Sequence, residues 1–156
     1  MSARYSTPSP HVSDPLHAHE PPAAALADLP MKGAITFFYY QDLGAARDFY
    51  ERIVGLERVQ DFGWCCLLSL QPGCHLGLVD GTSSRQRPIE GRNKGVLLSI
   101  EMADLEACLE RFRQLGVADP ASRIEPGCSG RTREFRIFDP EGYAIEFFTW
   151  LTPLSS

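Results

Sequence analysis

Between residues 33 and 151 the chain switches between two hydrophobic periods, and it does so in the same order twice. "ITFFYYQDLGAARDFYERIVGLE" from Ile35 overlays "LLSIEMADLEACLERFRQLGV" from Leu97. Asp42-Leu43 then meets Asp104-Leu105, and Gly55 meets Gly116 with one residue of slack. Each half opens as a strand, reaches an aspartate and becomes a helix. Asp42 and Asp104 predict N-caps, because a short carboxylate can accept the free amides of a first helical turn. Ala46, Phe49, Tyr50 and Ile53 fall on one helical face, as do Leu105, Cys108, Leu109 and Phe112. Gly55 and Gly116 predict the helix ends, where a left-handed residue is favoured.

After each helix the period returns to that of strands. The first half continues as "LERVQDFG", "WCCLLSLQ" and, beyond a Pro-Gly turn, "CHLGLVD". The second has a weak strand near "SRIEP", then "REFRIFD" and, beyond a Pro-Glu-Gly turn, "YAIEFFTW". Each half is therefore a βαβββ module, at about 33–82 and about 95–151. A unit this small cannot close a core alone, so the two should pair. The expected fold is α+β: two βαβββ modules forming a half-open curved barrel, with a cup inside and the helices outside.

Strand alternation assigns side chains to the two faces. Asp139-Pro140-Glu141-Gly142 fits a type I turn with Pro second and Gly fourth. That register sets Arg136 opposite Glu146 and turns Phe135, Ile137, Ile145 and Phe147 toward the helix. The same counting across "LQPGCHL" puts Leu67, Leu76 and Leu78 against the helix. Cys66, Leu68, His75, Gly77 and Val79 then face the cup. On the first strands Ile35, Phe37 and Tyr39 face inward, as do Leu97, Ser99 and Glu101. The expected wall joins Phe37, Tyr39, Leu68, Leu97, Phe148 and Trp150 with His75, Ser99, Glu101, Arg136 and Glu146. An apolar lining with a few polar groups is the make-up of a small-molecule pocket.

The pattern "QDLGAARDFYERIVGLE" followed by "FRIFDPEGYAIEFF" resembles the vicinal oxygen chelate superfamily, which includes glyoxalase I, bleomycin-resistance proteins, fosfomycin-resistance enzymes and extradiol dioxygenases. The resemblance spans about residues 33 to 151, nearly all of the patterned chain. It implies a cup that holds a divalent metal through one residue on each first strand and one on each last strand. Those positions here are Ile35, Gly77, Leu97 and Glu146. Only Glu146 has a donor atom, so no metal ligand is assigned and no cofactor is expected. A divalent metal at Glu146 with atypical partners, in a lyase or dioxygenase, is the alternative. The resemblance also implies a homodimer.

The catalytic candidates are Glu146, His75 and Tyr39. Glu146 has three readings: a surviving metal ligand, a general base or hydrogen-bond acceptor, or the cross-strand partner of Arg136. His75 is the one histidine outside the first 30 residues, either structural or an acid/base group. Tyr39 and Glu101 occupy equivalent positions in the two halves. The ligand-binding candidates are Arg136, Glu101, Ser99, Phe37, Phe148 and Trp150. Arg136 can clamp a carboxylate or phosphate through its planar fork, or simply pair with Glu146.

Composition narrows the classes. The net charge is −5, and Lys and Arg nowhere form a block, which argues against nucleic acid. No apolar run approaches a membrane span. Five cysteines, an odd number without a CxxC spacing, argue against a zinc site or disulfide framework and for reduced thiols in the cytoplasm. The expected activity is binding of a small organic molecule in the cup without metal, as a ligand- or drug-binding protein or as a metal-independent lyase or isomerase. An acidic chain with an aromatic cup suits an aromatic or cationic ligand. Residues 1–30, rich in Pro, Ala, Ser and His, read as a disordered tail ahead of a domain at 31–152, with 153–156 as a C-terminal tail. Deleting residues 1–30 is expected to shift the thermal midpoint by no more than about 2 °C, since surface segments away from the core change stability little. A fall of many degrees in a thermal melt would show that the tail packs on the domain.

Overall fold

Asp42 and Asp104 each accept the amide three residues on, from Ala45 and Ala107, at 2.9 Å, and a helix starts beyond each. The computed structural model describes residues 29–152. The expected C-terminal tail, and all but the last two residues of the expected N-terminal tail, lie outside the described residues. Helix α1 (Leu43–Asp48) runs without a break into a π-helical segment (Phe49–Val54), which Gly55 ends at φ +86°. Helix α2 (Leu105–Gln114) is followed by Gly116 at φ +69°.

Each helix packs on a four-stranded sheet. The first holds β1 (Ala34–Tyr40), β2 (Glu57–Asp61), β3 (Cys65–Gln71) and β4 (Cys74–Asp80), in the order β1-β4-β3-β2. The second holds β5 (Leu97–Glu101), β6 (Glu125–Gly127), β7 (Thr132–Phe138) and β8 (Ala144–Trp150), in the order β5-β8-β7-β6. The orders correspond strand for strand, and each first strand pairs parallel with its last. The two mixed sheets stay unclosed, with β1 and β5 as free edges. This is the α+β architecture that the repeat predicts.

One core serves both modules. Phe38, Tyr40, Phe49 and Tyr50 of the first belong to the same buried cluster as Leu105, Phe112, Ile145 and Phe147 of the second. The predicted faces of both helices and of the β7–β8 hairpin are the ones buried there. One assignment fails, on β3. Cys66 and Leu68 are fully buried in the core beside Leu76 and Leu78, instead of facing the cup. The cause is an irregularity between Ser69 and Gln71. One extra residue there sets Leu68 opposite Leu76, where counting back from the Pro-Gly turn sets it opposite Gly77. A bulge of this kind turns every side chain beyond it to the other face.

The modules are joined through the turn after β7. The buried Asp139 carboxylate takes hydrogen bonds from the Tyr40 and Tyr50 hydroxyls at 2.7 and 3.2 Å. Its other oxygen takes the amides of Tyr143 and Glu141 at 2.8 and 3.0 Å. Burial first, and the nearby carboxylate with it, holds both phenols far above their ordinary range, so they stay neutral donors. Next to them the Tyr143 ring stacks on Phe38 at 4.1 Å. Its hydroxyl accepts the Tyr39 amide at 3.0 Å and faces the Tyr39 carbonyl at 3.2 Å, taking the place of a strand partner on the free edge of β1. Tyr143→Phe is expected to lower unfolding free energy by about 1–3 kcal/mol, the cost of a backbone group left unpaired in a partly buried place. Urea denaturation gives the value; an unchanged midpoint would show that water replaces the hydroxyl without loss.

Candidate functional site

The cup faces of the sheets follow from the observed registers. On the first sheet Ile35, Phe37 and Tyr39 lie level with His75, Gly77 and Val79. On the second, Leu97, Ser99 and Glu101 lie level with Ala144, Glu146 and Phe148, which in turn face Phe138, Arg136 and Glu134.

Glu146 is the best-held polar group of that surface. The Nε and Nη2 atoms of Arg136 both donate to its Oε2, at 2.9 and 2.7 Å. The Ser99 hydroxyl donates to Oε1 at 2.7 Å. Glu146 is only 8% exposed, while the Arg136 side chain is 52% exposed and opens onto solvent. Burial pushes the Glu146 carboxyl up, but the Ser99 and Arg136 hydrogen bonds and the Arg136 charge outweigh it and hold the group below the usual carboxylate range. The Arg136 guanidinium is raised in turn, chiefly by its hydrogen bonds to Glu146.

A second carboxylate shares this arginine. Arg136 Nη2 also reaches Glu134 Oε1 at 3.2 Å, and Thr132 donates to Glu134 Oε2 at 3.1 Å. The Glu134 carboxylate lies across Gly127, where any Cβ would collide with it. Glu134 was not among the sequence candidates. It stands two residues before Arg136, so the alternation that placed Arg136 in the cup would have placed it there too. The acidic pair therefore outnumbers its one cation.

The other candidates take up two places. Ser99, Glu101 and Phe148 share a recess of about 320 Å³ with Cys74 and Gln71 from the β3–β4 turn. Trp150 meets Phe148 edge-on at 5.6 Å. Phe37, 43% exposed, lays its ring over Gly77, in space that a side chain at 77 would need. His75 lies level with Ile35 and Tyr39 with Val79. Four residues of strand separate them, roughly 13 Å, so the two are not gathered around one reacting atom.

The Glyoxalase/Bleomycin resistance protein/Dioxygenase superfamily model matches residues 34–147. The chain belongs to this superfamily. Among solved structures it is similar to a glyoxalase/bleomycin resistance protein/dioxygenase from Nocardioides, with 19% identity over 81% of this chain and 90% of that one and a TM-score of 0.62. Lactoylglutathione lyase from Agrobacterium tumefaciens is similar at 24% identity, 77% and 94% coverage and a TM-score of 0.60. TioX from Micromonospora sp. ML1 is similar at 18% identity, 76% and 98% coverage and a TM-score of 0.60. These likenesses carry the fold alone. No curated protein matches the chain.

The metal positions that the resemblance implies are Ile35, Gly77, Leu97 and Glu146, and the residues present there do not fit a divalent ion. Ile35 and Leu97 present exposed hydrocarbon, and Gly77 lies under the Phe37 ring. Glu146 is tied at both oxygens to Ser99 and Arg136. Among the described residues no three His, Cys, Asp or Glu side chains form a metal-holding group. A site for zinc or iron needs three or more such donors.

The Glu146–Arg136 pair predicts a sign for pH dependence. A carboxyl held low in the folded state adds stability above its unfolded pKa, about 4.3, and that stability is lost as pH falls through the lower folded value. Glu146→Gln is expected to be less stable than the wild type at pH 7 by about 1 kcal/mol. The difference should shrink on acidification to about pH 3. Urea curves at the two pH values test this; an equal gap at both would remove the ion pair as its source.

Proposed function

We propose that this chain binds a small aromatic cation in its cup without a metal ion, as a ligand-binding protein. The observation that carries the reading is the sharing of Arg136 by Glu134 and Glu146, which leaves negative charge in excess on the paired strands that carry Phe148 and Trp150. Aromatic faces and unneutralised carboxylates both favour a flat cation. Glu101, exposed on the same face, adds to that field. Lactoylglutathione lyase among the similar structures keeps an enzymatic reading in view. Proton abstraction at Glu146, in a metal-free lyase or isomerase, is less favoured, because a carboxylate held low by hydrogen bonds is a weak base. The reading also takes the chain as a cytoplasmic homodimer. The free cysteines support the compartment, and the dimer rests on the resemblance to the superfamily alone.

Calorimetric titration with matched aromatic cations, neutral isosteres and carboxylates tests the reading, alongside elemental analysis of the protein. Cations should bind at least about tenfold more tightly than their neutral isosteres, the factor that about 1.4 kcal/mol provides. Glu134→Gln and Glu146→Gln should each erode that preference, and added chelator should change nothing. Preference for the carboxylates would overturn the cationic reading. Near-stoichiometric metal, lost in Glu146→Ala, would overturn the metal-free one and restore the metal-dependent lyase or dioxygenase.

A further inference from the structure

A second cavity of the domain lies outside the cup. It lies on the helix side, where the end of the first helical stretch meets α2, and measures about 430 Å³. That is within the size range of small-molecule sites, roughly 300–1,000 Å³. Phe112, Phe147 and Ile100 line it from the second module, and Ile53 and Val54 from the first. It is thus built by both modules, a common location for ligand sites. The Cys108 thiol adds a further weakly polar surface. Burial pushes that thiol up, against the opposing effect of Arg111, so it stays protonated near neutral pH.

Two charged residues reach this cavity, and they differ. The Asp104 carboxylate is engaged as the cap of α2, accepting the Ala107 amide at 2.9 Å. Arg111 has no such engagement. Its neighbours Arg113 and Arg133 pair with Glu110 and Glu106, while Arg111 has no ion-pair partner among the described residues. A half-open apolar space with one exposed, uncommitted guanidinium in its lining is suited to a chain or ring ending in a carboxylate. We propose that this inter-helix cavity is a second binding site, separate from the cup, for a small apolar monocarboxylate whose head group pairs with Arg111 and whose body lies against Phe112 and Phe147.

Octanoate is the probe, with 1-octanol as its uncharged counterpart. Calorimetric titration of the full chain is expected to show saturable one-to-one binding of octanoate in the submillimolar range. Octanol should bind about tenfold more weakly, and Arg111→Gln should reduce octanoate affinity by a similar factor, since a charge-assisted hydrogen bond is lost. Ala107 lies exposed at the cavity wall, so Ala107→Trp can fill the space without disturbing the core, and it should abolish binding. Octanoate should also slow alkylation of Cys108 by iodoacetamide, followed by peptide mass mapping, and leave the exposed Cys128 unaffected. The cup variant Phe37→Ala should bind octanoate as the wild type does. Several results would overturn the proposal: no saturable binding, equal affinity for octanol, indifference to both Arg111→Gln and Ala107→Trp, or loss in Phe37→Ala. The last would place octanoate in the cup and leave the inter-helix cavity without a ligand, whatever the fate of the cationic reading.

Discussion

The carboxylate of Asp139 is the point on which the two halves agree. Four donors converge on it: two tyrosine hydroxyls from the first module and two amides of its own turn. The amides fix the turn, and the hydroxyls fix where the turn sits against β1 and the first helical stretch. A buried carboxylate is costly to leave unsatisfied, so the position that satisfies all four donors is strongly selected. The relation between the modules, and with it the shape of the cup, follows from that selection. Glu141 of the same turn adds a fifth tie at the surface, accepting the Asp42 amide at 2.7 Å.

Tyr143 solves the accompanying problem of the edge. With β1 and β5 unpaired on one side, the free backbone groups of β1 would be left at the seam between modules. A phenol can both accept and donate, so one hydroxyl can satisfy the amide and the carbonyl of Tyr39 together. The sheets can then meet without joining into a closed barrel. An unclosed seam leaves Ile35, Phe37 and Leu97 exposed on the cup side.

What could be seen in the sequence was whatever depends on local rules. The two aspartate caps, the helical faces and the Arg136–Glu146 pairing each follow from spacing within a few residues, and each is found. The β3 face was lost because an irregularity near Leu70 inserts one residue between a readable turn and a readable strand. Nothing in "LLSLQPG" signals it, since Leu67, Leu68 and Leu70 are equally apolar. Glu134 was legible and overlooked. The placing of Phe37 over Gly77 was not legible, because it joins residues 40 positions apart through the absence of a side chain. The role of Tyr143 depends on a contact between modules and was hidden for the same reason.

Glu146 shows how the site departs from the metal set that the superfamily resemblance implies. On an otherwise apolar strand a lone carboxylate needs either a metal ion or a cation from the protein. Here Arg136 supplies the cation, and Ser99 takes the remaining oxygen. A guanidinium can replace a metal as a counter-charge, but it offers no open coordination position and does not polarise a bound oxygen as an ion does. It also holds Glu146 low, which weakens it as a base while keeping it charged over a wide pH range. The pair thus weighs against metal ligation and base catalysis by Glu146 itself and keeps a fixed negative surface. Because Glu134 draws on the same guanidinium, that surface is not neutralised. Stable charge, aromatic walls and weak basicity are the grounds for proposing that the site holds a ligand, in preference to proton transfer at Glu146.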